Sequence, residues 1–373
     1  MNPNPSSPTR VVIVGGGVAA LEAMLAIRDL GGERVKVDVF APRKDFVLKP
    51  LGVSEAFGHG EVLTYDLESL AERSGSSFHL RSVTLIETEN RRVALRDGTE
   101  VPYDYLVVAT GTKALWVIPG AKTFWGLHGQ EVISEVIQRI AGDSPAHIVL
   151  TMPEPAVWPL PIYELALFLA TEVEKSKGSQ SKVTVVTPET SPLATFGPGA
   201  SAILSDLLER HSVGLVTDTT PVDFSEGTLN TMTGESIAAD EVITVPRLTG
   251  RQIDGLSFNP EGFLTVDGFG RIEGLEREYA AGDVISYPIK FGGVATEQAD
   301  VVAASIARDA WGDPEPEPFR PVLRGTLLTS DGPVALGVSP ASENGATDES
   351  DSWDPVRKVR GKHLTPFLES EKE

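Results

Sequence analysis

The chain has 373 residues, 41% of them hydrophobic, and carries a formal net charge of −21. That length supports two or three domains with sizeable cores, and so acidic a surface argues against nucleic acid and against polybasic membrane docking. The absence of cysteine excludes a redox-active disulfide, a thiol nucleophile, a cysteine-held cluster and any structural disulfide.

Met1 to Thr9 reads as a flexible leader. The stretch to Arg10 is polar and proline-rich and lacks the apolar segment of a secretory signal. No apolar run approaches the ~20 residues that span a bilayer. A cytoplasmic protein with at most peripheral membrane contact is expected. Val11–Val14 reads as a buried strand, Gly15–Gly17 as a turn and Val18–Leu30 as a helix, with Leu21, Met24, Leu25 and Ile27 at helical spacing and Gly31-Gly32 as the stop. Val35–Phe40 returns as a strand and completes a βαβ unit. Short strands are expected around Val83, Val93 and Tyr105–Ala109. A second βαβ unit runs from Ile148–Leu150 through a helix from about Ile162 to Lys175 to Val183–Thr187. Asp240–Pro246 and Tyr279–Asp283 read as strands, and a helix follows from about Ala295 to Ala310. From Asp313 the chain turns into an Asp-Pro-Glu-Pro-Glu-Pro linker. A small strand-rich tail follows, with a Ser/Glu/Asp-rich loop near residues 341–354.

The first turn, Gly15-Gly16-Gly17-Val18-Ala19-Ala20, is the G-x-G-x-x-A form of a dinucleotide fingerprint. Gly15 permits the tight turn, Gly17 lets backbone N–H groups approach a pyrophosphate, and Ala20 keeps helix and strand close. The end of the second strand, Phe40-Ala41-Pro42-Arg43, lacks the acid that holds a ribose in this fold. The nearest acids are Asp38 and Asp45, and Arg43 is a candidate for neutralising a phosphate. Two further strand ends carry signals: Ala109-Thr110-Gly111 after Tyr105–Val108, and Gly282-Asp283 after Tyr279–Ala281.

In this order, across residues 10 to 310, the chain resembles the pyridine nucleotide–disulfide oxidoreductase superfamily. The resemblance implies FAD, with Asp283 on its ribitol, Ala109, Thr110, Gly111 and Gly282 beside it, and the backbone near Val83 facing its adenine. The branch most resembled holds type II NADH dehydrogenases, sulfide:quinone oxidoreductases and flavocytochrome c sulfide dehydrogenases. Phe46-Val47-Leu48-Lys49-Pro50-Leu51 and the segment Pro288 to Gln298 look like that branch's segments beside the flavin. A helix N-terminus at about Thr296 would aim partial positive charge at the flavin's anionic edge, and Lys290 would add a cation. Both would raise the flavin's electron affinity.

The second βαβ unit lacks its glycines. Between strand and helix it reads Thr151-Met152-Pro153-Glu154-Pro155-Ala156-Val157-Trp158-Pro159-Leu160-Pro161. Proline has no N–H to offer a pyrophosphate, so the loop reads as a rigid lid and NAD(P)H binding in the usual manner is not expected. Pro161 suits the first position of a helix. Sulfide:quinone oxidoreductases also lose this fingerprint but place a catalytic cysteine nearby, where this chain has Trp158. Tyr163-Glu164-Leu165-Ala166 resembles the start of the same helix in the relatives. Glu164 is a candidate proton relay, or else an ordinary acid of the first helical turn. The six histidines show no metal-ligand spacing, and no metal is expected.

The expected fold is α/β: two Rossmann-like, three-layer ββα domains with a small C-terminal cap. Residues 10–125 and 246–312 would form a split FAD-binding domain, 126–245 a second domain with a degenerate nucleotide loop, and 313–373 a capping or interface region packed on the flavin domain. The expected function is passage of electrons from a small-molecule or protein donor through FAD to a quinone-like or protein acceptor. A homodimer is compatible with this reading. Two alternatives stay open: an NAD(P)H-dependent reductase with an atypical nicotinamide site, and a non-catalytic flavin-binding protein.

Overall fold

A computed structural model describes residues 7–142, 144–176, 180–320, 323–337 and 358–370. Most of the leader (residues 1–6) and the acidic loop at 341–354 lie outside the described residues.

The opening strand, Thr9–Val14, is buried on both faces, which is why it reads as an unbroken apolar run. Val11 and Ile13 face a helical layer, while Val12 and Val14 face the opposite side. This period of two splits one strand between two cores. Thr9, expected in the leader, is already paired with Val35. The sheet runs in the order Glu278–Ala280, Tyr105–Val108, Thr9–Val14, Val35–Ala41, Ser77–Leu80, and every pairing is parallel. One face carries the helices Val18–Gly31 and Gly292–Trp311. The other carries an antiparallel meander of Val83–Glu87, Arg92–Leu95 and Glu100–Pro102. Leu21, Met24 and Ile27 of the first helix are at most 1% exposed. Burying each such side chain contributes about 1.5–3 kcal/mol.

A second sheet repeats the plan. Its order is Lys122–Thr123, Glu241–Thr244, His147–Thr151, Lys182–Val186, Gly214–Val216, again all parallel. Ile148 and Leu150 face its helices, and Val149 faces a meander formed by Pro221–Ser225, Thr228–Thr231 and Ser236–Ala238. That meander and the helices Gly126–Ile140 and Pro198–Arg210 were not anticipated from sequence. An antiparallel ribbon, Thr112–Leu115 with Arg247–Gly250, joins the two halves.

The C-terminal residues divide their packing, which corrects the expectation that they all cover the first half. The hairpin Arg324–Leu327/Val334–Gly337 sends Leu327 and Leu336 into the second core. Among the described residues, the short helix Leu364–Glu369 and Val359 join the first. The apolar side chains of each piece decide which core receives it. No helix among the described residues is long and apolar enough to cross a membrane.

Candidate functional site

The three sequence signals of the first half meet at the carboxyl ends of its strands, where ligands bind in open parallel sheets. Gly15 has φ +140°, and a Cβ there would lie 2.1 Å from the Ala109 carbonyl oxygen. The glycine turn and the Ala109-Thr110-Gly111 turn are thus in direct contact. Gly282 has φ +79°, its Cβ would come within 2.8 Å of the Ala19 Cβ, and its N–H donates to Gln298 Oε1 at 2.8 Å. Ala20 is fully buried.

Gly17 differs from the other two. A Cβ there would meet nothing within 4 Å. The helix it starts has neither a side-chain cap nor an acid in its first turn. Open space before uncapped helix N–H groups fits an anion. Among the described residues nothing donates a hydrogen bond to the Asp283 carboxylate, an acceptor suited to polyol hydroxyls. Burial pushes that carboxyl up, against the pull of Lys290 and Lys49. Thr110 donates to the Arg251 carbonyl at 3.2 Å, and the Arg251 N–H donates to Gly111 at 3.1 Å. Arg43 is exposed and has no ion pair among the described residues. Val83 opens the meander just past the edge strand Ser77–Leu80. These features fit a dinucleotide with a polyol arm.

The missing ribose acid is explained in part. Asp38 is 1% exposed and already committed to Arg10 at 2.9 Å and His79 at 3.0 Å. Burial pushes its carboxyl up, but His79 and Arg10 outweigh burial and hold it below the usual range.

A pocket lies between the halves, lined by Lys49, Trp158, Glu164, Lys290, Phe291 and Lys358 among others. Lys290 is 4% exposed. Its Nζ donates to the Ile285 carbonyl at 2.5 Å and sits 4.0 Å from the centre of the Phe263 ring. Burial pushes its ammonium down to about 8, with Asp283 pulling the other way. Lys49 is lowered by burial and by the neighbouring cations Arg43 and Arg251. It stands 5.3 Å from the centre of the Trp125 ring.

Two expectations about this pocket need correction. The long helix starts at Gly292, so Thr296 lies in its second turn, with its hydroxyl on the Gly293 and Arg360 carbonyls. The helix amides nearest the pocket belong to Gly292 and Gly293. The other helix starts at Leu160, with Pro161 second, so Glu164 also lies beyond the first turn. Glu164 is therefore not an ordinary first-turn acid. It is 1% exposed, accepts the Leu328 N–H at 2.9 Å and pairs with Lys358, which also donates to Thr326 O at 2.7 Å. Burial pushes the Glu164 carboxyl up and the Lys358 ammonium down, each against its partner's attraction. No sequence signal marked Lys358, because its partner lies 194 positions away.

The proline loop closes one wall. The Lys290 N–H donates to the Val157 carbonyl at 3.0 Å, and Trp158 stands edge-on to Trp125 with ring centres 5.4 Å apart. Trp158 both packs in the loop and lines the pocket. Glu189, just past the strand Lys182–Val186, stands where a second nucleotide site would place its ribose acid. Here it accepts from Tyr163 at 2.5 Å and Thr187 at 3.2 Å instead.

Comparison with known proteins decides the family. The model of the pyridine nucleotide-disulphide oxidoreductases matches residues 9–149 and 164–303. The chain belongs to this family. It is a flavin-dependent oxidoreductase, related to sulfide:quinone oxidoreductases and NADH dehydrogenase-like proteins. It is 28% identical to rhodocoxin reductase of Rhodococcus erythropolis over 79% of this chain and 71% of that protein. It is 26% identical to the sulfide-quinone reductase of Aquifex aeolicus over 53% of this chain and 47% of that protein. The fold is that of the solved sulfide:quinone oxidoreductase of Aquifex aeolicus, with a TM-score of 0.80 at 19% identity, covering 91% of this chain and 86% of the other.

Proposed function

We propose that this oxidoreductase binds FAD in its first half and passes electrons from a donor other than a nicotinamide nucleotide to a quinone-like acceptor at the pocket between its halves. The observation that carries this reading is the proline loop hydrogen-bonded onto Lys290. In the nucleotide-binding version of this fold, that loop is a glycine cradle for pyrophosphate. Here it forms a wall of the pocket, and Tyr163 takes one oxygen of Glu189, whose other oxygen is buried without a hydrogen-bond partner among the described residues.

Gly15, Gly17 and the helix start would hold the pyrophosphate, with Arg43 adding charge. Asp283 would take the ribitol, and Ala109, Thr110, Gly111 and Gly282 would shape the floor. The flavin, when bound, supplies two-electron chemistry. The chain's own part is electrostatics, protons and exclusion of water. Lys290 places a cation on the flavin side of the pocket and favours the charged reduced form. Reducing a quinone to its hydroquinone takes up two protons; one would come with the electrons, and the buried Glu164–Lys358 pair, which shares one transferable proton, is placed to deliver the other. Aromatic and apolar walls from Phe124, Trp158, Leu160 and Phe291 suit a flat apolar ring.

The similarity to rhodocoxin reductase favours one rival, a nicotinamide-dependent reductase with a protein acceptor. Anaerobic titration separates the two. We expect the purified protein to show an oxidised-flavin spectrum that neither NADH nor NADPH bleaches. After chemical reduction, a short-chain quinone should reoxidise the flavin rapidly. Bleaching by NADH or NADPH would establish the rival, and failure to bind FAD after reconstitution would sink both.

A further inference from the structure

Residues 358–370 form a strap between the two halves. At one end Lys358 enters the pocket against Glu164. At the other, Leu364 and Leu368, each 1% exposed, seat the short helix on the first core. Between these ends stands Glu22, a fully buried acid on the fingerprint helix that plays no part in the proposed electron transfer. Its Oε1 accepts the His363 N–H at 2.7 Å and its Oε2 accepts the Leu364 N–H at 2.8 Å.

Asp300, from the long helix, faces the same point. One ligand-type atom from each of Glu22, Asp300 and His363 lies within 4.8 Å of the other two. Asp300 Oδ1 is buried without a hydrogen-bond partner among the described residues, and His363 Nε2 lies 3.6 Å from it. Both Glu22 oxygens accept strap N–H groups. Two carboxylates this close, with the His363 ring nitrogen within 4.8 Å of both but hydrogen-bonded to neither, cannot both ionise cheaply. Burial, then Glu22, pushes the Asp300 carboxyl up to about 7; Glu297 on its own helix adds to this, and Lys362 on the strap opposes it.

We propose that Asp300 and Glu22 act as a positioning pair: a proton held on Asp300 lets Glu22 anchor the strap, and the anchored strap sets Lys358 against Glu164. With Asp300 neutral, the two Glu22 oxygens hold the two strap N–H groups unopposed by a neighbouring negative charge. With Asp300 ionised, a second negative charge faces Glu22 and the anchor weakens. The docked strap thus holds more protons than the released one, in which Asp300 returns towards the ordinary carboxyl range. Docking is strongest in acid, weakens as pH rises from about 4 to about 7, and stays at its weakest above that. Within the window the released fraction grows by about tenfold per pH unit. The strap and its test are independent of which cofactor or donor the protein uses.

Hydrogen exchange of the full chain, read by mass spectrometry from pH 5 to 8, tests this. Rates are corrected for intrinsic exchange and referenced to the helix Pro198–Arg210. Strap protection should fall by roughly tenfold per unit up to about pH 7 and then level off. Asp300→Asn, which mimics the protonated acid, should hold protection at its acid level throughout. Acylation of Lys358, referenced to exposed Lys36, should rise along the wild-type curve and stay flat in Asp300→Asn. A pH-independent wild-type strap would overturn the proposal, and so would an unchanged slope in Asp300→Asn. A strap that loosens while Lys358 labelling stays flat would overturn the link to Glu164. Should Asp300→Asn fail to fold, the wild-type slope alone decides.

Discussion

Replacing Lys358 by methionine leaves the Glu164 carboxylate fully enclosed with, among the described residues, one remaining donor, the Leu328 N–H. Removing one partner of a buried ion pair costs about 3–5 kcal/mol when the other stays ionised. Glu164 has an escape, because it can take a proton. Burial already pushes its carboxyl up, and losing Lys358 removes the chief opposing attraction. A carboxyl raised in the folded state costs stability as pH climbs above its unfolded value, by about 1.4 kcal/mol per unit, until the folded value is reached. Lys358→Met should therefore be destabilised less at pH 5 than at pH 7, by up to about 2.7 kcal/mol over the two units. The double variant Glu164→Gln/Lys358→Met should recover most of the loss, since replacing both partners is often neutral or stabilising. Urea unfolding of the wild type, each single variant and the double variant at both pH values gives the cycle. A loss under about 1 kcal/mol for Lys358→Met that does not change with pH would mean the pair is solvated, as surface pairs are. The reading of a buried proton-carrying pair would then fail.

Other outcomes follow from the same geometry. Gly17→Ala adds a Cβ into open space, so the thermal midpoint should stay within about 2 °C of the wild type, given a cost of a few tenths of a kcal/mol. Flavin affinity, read by fluorescence quenching, should fall at least ~tenfold because the pyrophosphate loses its approach. Gly15→Ala would force a Cβ against the Ala109 carbonyl, and should lower the thermal midpoint as well as flavin content. Lys290→Met should slow flavin reduction on the order of 10²-fold. Because the Lys290 cation is present below about pH 8 and lost above it, the gap between wild type and variant should narrow as pH rises through that value in stopped-flow reduction. Tyr163→Phe removes a hydroxyl donated to buried Glu189 and should cost about 1–3 kcal/mol in urea unfolding. It should not create NADH oxidation.

The local signals were legible because each is a short-range consequence of backbone chemistry. The run Val11–Val14 is apolar because both faces of the opening strand are covered. Gly15 and Gly282 are glycines because their backbones have positive φ and their neighbours leave no room for a Cβ. The prolines between Thr151 and Pro161 announce by themselves that a phosphate cradle is gone. Glu22, next to Leu21 on the same helix, carried no such local signal.

What only the tertiary structure decided is which distant residues share a pocket. Lys358 reaches Glu164, and His363 and Leu364 reach Glu22, across separations of 194, 341 and 342 positions. Helix starts moved by two to four residues, enough to take Glu164 and Thr296 out of their first turns. The short strands of the second meander carry too few residues to declare a period, and they form because an exposed sheet face must be covered. Periodicity and turn chemistry act over a few neighbours, whereas the buried Glu164 and Glu22 find their partners only through chain closure over hundreds of residues.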